Sequence, residues 1–226
     1  MDGIIFDLDN TLIESRIEYA RLRSEAISVL LKCGTDPSVI DAKATAHVNI
    51  LRAREHLLVE RGSEAAKRLD RAISETLSRM ELAHVDEVRA IDGAAEVLDQ
   101  LTLDGYAASV LTRGSREYAR RALHVAGLDG RIGRLVCRDD YPLTEAKPNP
   151  LALERAAALI DREPRSCILV GDHIIDLECA VGAGARFAGV LTGTTTREQF
   201  RAADCVWVID SVVGLPSLLK REKGGA

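Results

Sequence analysis

Aromatic residues are scarce in this chain: three Phe, four Tyr and one Trp, 4% of 226 residues. That leaves too few rings for a base-stacking surface on single-stranded nucleic acid. No long run of Lys and Arg occurs, and the net charge is −5. A polyanionic partner or an anionic membrane therefore has no electrostatic support. No segment approaches the ~18 consecutive apolar residues of a membrane helix. Met1–Phe6 has no basic region of the kind that opens a signal peptide. The five cysteines (Cys33, Cys137, Cys167, Cys179, Cys205) are scattered, odd in number and without a Cys-x-x-Cys. That usage suits a reducing compartment and buried thiols. The expectation is a soluble, cytoplasmic protein that binds neither nucleic acid nor membrane. Nucleotide loops are also missing. No Gly-x-x-x-x-Gly-Lys exists, and Gly182-Ala183-Gly184-Ala185 precedes a predicted strand and lacks the third glycine of a dinucleotide loop.

What is present is a chain that is 46% hydrophobic, enough for a sizeable core. Ile4-Ile5-Phe6 reads as a short buried strand ending in Asp7. Residues 15–89 read as helix throughout. Ile17, Ala20, Ser24, Ile27 and Leu31 fall at helical spacing, with Gly34 as the stop. Asp36-Pro37 predicts the start of a second helix, whose apolar face holds Val39, Ile40, Ile50, Leu51, Leu57 and Leu58. Gly62 ends it, and Ser63 is expected to cap a third. After Asp92-Gly93 the pattern alternates. Strands are predicted at 106–111, 132–137, 167–170, 186–191 and 205–209, helices at 94–101, 115–126, 150–160 and 174–181. The tail from Lys220 to Ala226 reads as loose. Alternation of this kind predicts an α/β fold, a doubly wound and mostly parallel sheet. Its core would be 1–14 and 90–226, with 15–89 an inserted all-helical cap. In such folds ligands bind beyond the carboxyl ends of the strands.

The strand ends carry the candidate chemistry. Asp7 and Asp9 follow the first strand, and residues two apart on an extended segment face the same side. Aspartate is also common in turns, so this pair alone decides little. Gly171-Asp172-His173-Ile174-Ile175-Asp176 follows a later strand; Asp172 and Asp176 share a helix face, or serve as a cap and a first-turn acid. Four carboxylates on one rim need a cation, since two charges ~4 Å apart repel by ~4 kcal/mol at an effective dielectric near 20. Hard oxygen ligands suit magnesium, and the lack of His and Cys at ligand spacing argues against zinc. Thr112 also lies at a predicted strand end, and Lys147 precedes a predicted helix on a segment fixed by two prolines. Lysine is a good point charge for phosphate, although most lysines are simply solvated. Arg113, beside Thr112, is a candidate anion contact. His173 reads as a loop residue, and Arg52, Arg54 and His56 read as a solvated helix face before a substrate-reading set.

In this order, Asp-x-Asp, Thr, Lys and Gly-Asp-x-x-x-Asp resemble the motifs of the haloacid dehalogenase-like (HAD) hydrolase superfamily. The resemblance spans nearly the whole chain, and the helical insert is similar to that of the subclass with phosphoglycolate phosphatase and β-phosphoglucomutase. It implies that Asp7 is a nucleophile and Asp9 a general acid/base, and that Thr112 and Lys147 bind the transferring phosphoryl group. It further implies that Asp7, the backbone carbonyl of Asp9 and Asp172 hold Mg2+, with Asp176 supporting through water. Asn10 stands where glycine is commoner in the family; asparagine tolerates unusual backbone angles. Members that cleave carbon–halogen or carbon–phosphorus bonds lack an acid at the position of Asp9, so Asp9 favours a phosphate ester. The implied protein is a magnesium-dependent phosphatase, monomer or homodimer, acting on a small phosphorylated metabolite through an aspartyl-phosphate. A sugar-phosphate mutase would use the same residues. A phospho-receiver or non-catalytic binding module is the more remote alternative, since receivers distribute their acids differently and lack the insert.

Overall fold

The computed structural model describes residues 2–224. The chain separates into two compact units, Met1–Ser15 with Asp86–Ala226, and Arg16–Val85. The first unit is built on a six-stranded sheet. Its strands are β1 (Gly3–Phe6), β4 (Ala107–Leu111), β5 (Leu135–Val136), β6 (Cys167–Gly171), β7 (Arg186–Val190) and β8 (Trp207–Ile209). They lie in the order β5-β4-β1-β6-β7-β8, and every pairing is parallel. The chain steps from β1 to β4 and β5 on one side, then crosses to β6, β7 and β8 on the other. The fold is therefore doubly wound, with its topological switch at β1.

β1 is central because nothing in it is polar. Ile4, Ile5 and Phe6 are fully buried, each worth roughly 1.5–3 kcal/mol of apolar burial. Gly3–Phe6 pairs with Ala107–Val110 on one side and with Cys167–Val170 on the other. The ends of β1, β4 and β6 are thereby level, so Asp7, Thr112 and Asp172 emerge from one edge of the sheet. The edge strand β5 is only two residues long, where the sequence predicted 132–137. Its pairing is limited to Val110↔Leu135 and Leu111↔Val136.

Helices cover the sheet: α4 (Ala94–Leu103), α5 (Arg116–Val125), α6 (Pro150–Ala158), α7 (Ile174–Gly182), α8 (Arg197–Ala202) and α9 (Leu215–Gly224). Ser115 caps α5 and Asn149 caps α6, with Pro150 in the first turn. Helix α9 corrects the expectation of a loose tail. Leu215, Leu218 and Leu219 are buried at helical spacing and carry Lys220–Gly224 with them; Gly225 and Ala226 lie outside the described residues. Two short strands, β2 (Ile13–Glu14) and β3 (Arg89–Ala90), pair antiparallel where the chain leaves and re-enters this unit. Asp86 belongs here too, holding Arg121 on α5 at 2.6 Å.

The second unit is three helices, α1 (Tyr19–Lys32), α2 (Ala46–Arg61) and α3 (Ser63–Leu82). Its core is Ala26, Leu30, Ile50, Ala53, Leu57, Ala66, Leu69 and Ile73. Helix α2 starts later than predicted. Asp36-Pro37 opens only a single 3₁₀ turn, Pro37–Val39, and Thr45 is the residue that caps α2. Gly62, not Ser63, stands at the N-cap of α3. Arg54 pairs with Asp70 on α3 at 3.0 Å, Arg52 lies 3.5 Å from Asp41, and His56 accepts from the Asp36 N–H. All three side chains make their contacts within the unit.

Candidate active site

Asp7 continues β1 by one residue. Its N–H donates to the Val170 carbonyl at 2.8 Å, which fixes its backbone against β6. The chain then turns back at once, as the N–H groups of Thr11, Leu12 and Ile13 all point to the Leu8 carbonyl. The turn requires Asn10 to adopt a left-handed conformation, φ 55°. Asparagine accepts this at little cost, and its Oδ1 accepts from the Ser15 N–H.

Lys147 sits between a 3₁₀ turn (Leu143–Glu145) and the capped start of α6. It is 1% exposed, the opposite of a solvated surface lysine. Its Nζ donates to Asp7 Oδ1 at 2.5 Å and to Asp176 Oδ1 at 2.6 Å. Asp176 receives the His173 N–H on its other oxygen, while His173 Nδ1 accepts from Ile175 N. His173 is thus the cap of α7, and Asp172 is left with its carboxylate directed elsewhere. Oxygens of Asp7, Asp172 and Asp176, all buried, lie within 4.8 Å of one another. Among the described residues the Asp9 carboxylate is not part of that group. It accepts from the Tyr118 hydroxyl at 2.5 Å. Thr112 is buried at the end of β4, and its Oγ1 accepts from the Gly114 N–H at 3.0 Å, which leaves the hydroxyl proton for another acceptor. Arg113 is partly exposed, with its guanidinium in electrostatic reach of Tyr141, Asp176 and Asp7.

Burial raises the Asp7 carboxyl well above its ordinary value; Lys147 opposes this, and Asp176, Asp172 and Asp9 add to it. Burial and Asp176 push Asp172 up to about 7, again against Lys147. Burial alone would lower Lys147, but Asp176 and Asp7 outweigh it and hold the ammonium above its usual value. The cluster is short of positive charge. Among the described residues, the Lys147 ammonium opposes the carboxylates of Asp7 and Asp172, and Arg113 is in electrostatic reach of Asp7 and Asp176. One divalent cation would balance the excess, and an all-oxygen, buried donor set fits a hard one.

Two glycines make room for this arrangement. A Cβ at Gly171 would lie 2.6 Å from Asp176 Oδ2, and one at Gly193 would overlap the Asp172 carboxylate. Gly193 follows β7, beside Thr192, whose hydroxyl donates to the Asn10 carbonyl. Neither Gly193, Thr192 nor Tyr118 was expected at the site. No motif marks them, because each acts through a contact distant in sequence.

Residues 4–190 match the family model described as haloacid dehalogenase-like hydrolase. The chain belongs to the haloacid dehalogenase-like hydrolases. Among curated members, it is 29% identical to a phosphoglycolate phosphatase from Xylella fastidiosa, over 96% of this chain and 91% of that one. It is also 29% identical to a validoxylamine A 7'-phosphate phosphatase from Streptomyces hygroscopicus subsp. limoneus, over 88% and 90%. Among solved structures, a hydrolase from Pseudomonas syringae superposes with TM-score 0.67 at 24% identity, covering 98% of this chain and 99% of that one. A HAD family hydrolase from Deinococcus radiodurans, with bound phosphate and sodium, superposes with TM-score 0.63 at 20% identity over 98% and 96%. The structural likenesses speak to the HAD fold.

Proposed function

We propose that the chain is a magnesium-dependent phosphatase that hydrolyses a small phosphomonoester through an aspartyl-phosphate on Asp7. The observation that carries this reading is Lys147 bridging Asp7 and Asp176 beside Asp172. Lys147 engages Asp7 Oδ1 and leaves Oδ2 as the attacking oxygen. A bond forms from Oδ2 to phosphorus as the ester P–O bond breaks. The leaving alkoxide takes a proton from Asp9. Asp9, now a carboxylate, removes a proton from water, which attacks phosphorus and releases phosphate with Asp7 restored. Thr112 and Arg113 donate to the phosphoryl oxygens, and Lys147 offsets their charge. Asp7, Asp172 and the Asp9 carbonyl would hold the magnesium ion, with Asp176 supporting through water. When bound, the ion supplies charge neutralisation at the phosphoryl group.

The phosphatases named among the relatives, matched over most of both chains, support a small phosphorylated metabolite as substrate. The helical unit, acting as a cap, would select it. Five free cysteines are consistent with a cytoplasmic setting, and no helix among the described residues is long and apolar enough to cross a membrane. The test is a phosphate-release screen across phosphomonoesters with magnesium and with chelator. Turnover with magnesium, lost in chelator and lost in a folded Asp7→Asn variant, is the expected result. Turnover retained by Asp7→Asn would refute the aspartyl-phosphate. Exchange of label within a sugar bisphosphate without phosphate release would point to a mutase instead.

A further inference from the structure

Tyr118 is the largest fully buried side chain among the described residues, with 0% exposure. It lies in the first turn of α5, and its N–H donates to Ser115 Oγ at 3.3 Å, which fixes the start of the helix. The ring fills the space beside Gly114, where a Cβ would come within 2.8 Å of Tyr118 Cδ1 and 3.3 Å of Thr112 Oγ1. Phenylalanine would fill that apolar space equally well. What tyrosine adds is a hydroxyl, and a buried hydroxyl without a partner costs about 1–3 kcal/mol. Here it reaches across 109 residues of sequence to donate to Asp9 Oδ1 at 2.5 Å.

Asp9 gains an anchor from this bond. It is half-exposed, bridged to Ile13 and next to a residue in the left-handed region. Its Oδ1 is held by the Tyr118 hydroxyl, which comes from a different element of the fold. We propose that Tyr118 is a positioning residue for Asp9, holding Oδ1 so that Oδ2 is the oxygen that exchanges a proton with the leaving group. The inference rests on the phosphatase reading and deepens it. The hydroxyl itself exchanges no proton with substrate; it limits the rotamers from which Asp9 delivers one.

The experiment compares Tyr118→Phe with wild type on two probes, with magnesium present. 2-Phosphoglycolate loses an alkoxide and needs a proton at its leaving oxygen. p-Nitrophenyl phosphate loses a stable phenolate and does not. kcat/KM reports the steps through phosphorylation of Asp7, before the hydrolytic step common to both probes. The expected result is a fall of at least about 10-fold with 2-phosphoglycolate, part of the roughly 100- to 10,000-fold that general acid catalysis supplies, and less than about 2-fold with p-nitrophenyl phosphate. The melting temperature should stay close to that of wild type. A merely structural role would lower both probes together, so an equal loss, or no loss, overturns the proposal. In an Asp9→Asn background the Tyr118→Phe effect should vanish; a loss that persists there also overturns it. Absence of wild-type turnover on both probes, and on the wider ester panel, would instead remove the phosphatase reading and this inference with it.

Discussion

Gly193→Ala tests whether the sheet itself fixes the position of Asp172. The new Cβ would stand 2.5 Å from Asp172 Cγ and 2.6 Å from its Cβ. Both are about 1 Å inside the ordinary carbon–carbon separation of roughly 3.5–4.0 Å. Rotating the carboxylate does not relieve the clash, because the Asp172 Cβ is itself encroached upon. The backbones must separate, yet Asp172 and Gly193 follow β6 and β7, which pair through Gly171↔Gly189. Thr192 ties the second loop further, to Asn10. Overpacking of this kind costs about 1–3 kcal/mol. For a domain of this size that lowers the melting temperature by about 2–12 °C. The larger effect falls on the site, where a misplacement of ~1 Å costs on the order of 100-fold in rate. The assay is turnover against magnesium concentration, beside thermal melts with and without the ion. The expected result is a half-saturating magnesium concentration raised about 10-fold or more, as for loss of a supporting contact, with a smaller magnesium-induced rise in melting temperature. An unchanged magnesium dependence would refute the reasoning, whatever happens to stability.

Two further outcomes follow from buried ionisable groups. In chelator, stability should fall as pH rises from about 4 to about 7. Asp172 keeps its proton in the folded state up to about 7 but gives it up near 3.8 when unfolded, so the folded state binds the extra proton across that window. The contribution is present below the unfolded value and is lost by pH 7; its upper bound is about 4 kcal/mol. Magnesium should flatten this slope, and urea melts at several pH values with and without the ion would show it. The thiols give a second check. Burial pushes Cys137 up to about 12 and Cys179 up to about 11, so both stay protonated at pH 8, and a thiol reagent should leave them unmodified in the folded protein. Cys33, half-buried, should react first. Rapid modification of Cys137 or Cys179 without unfolding would contradict the packing described.

The positions of Asp7, Asp9, Thr112, Lys147, Asp172 and Asp176 were legible in the sequence because each ends or adjoins a strong local signal. Apolar runs stop at Asp7, Thr112 and Asp172, and two prolines bracket the Lys147 segment. Asn10, which stands where the resembling family more often has glycine, takes the left-handed conformation that asparagine tolerates. Where local signals compete, reading failed. Asp36-Pro37 is a good helix start, and it does open a turn, but burial of His47, Asn49 and Ile50 begins only after Thr45. The β2–β3 ribbon has two residues per strand, too few for a period of two to register. Gly193 and Tyr118 were invisible for a different reason. One matters for the side chain it lacks, the other for a hydroxyl whose partner lies far away in sequence.

The ribbon has a consequence for how the chain can be edited. Ile13 and Ala90 are direct partners across two antiparallel strands, so the ends of the excursion already stand side by side. Loop-closure entropy grows only with the logarithm of length, and shortening Arg16–Val85 to a two-residue turn changes it by about 3 kcal/mol. The β2–β3 pair is therefore a graft point. A helical unit of different length or sequence can be spliced between Glu14 and Arg89 while the strands that carry Asp7, Thr112 and Asp172 keep their register. Under the proposed function, in which the helical unit selects the ester, substrate preference would diverge at that junction with the chemistry held constant.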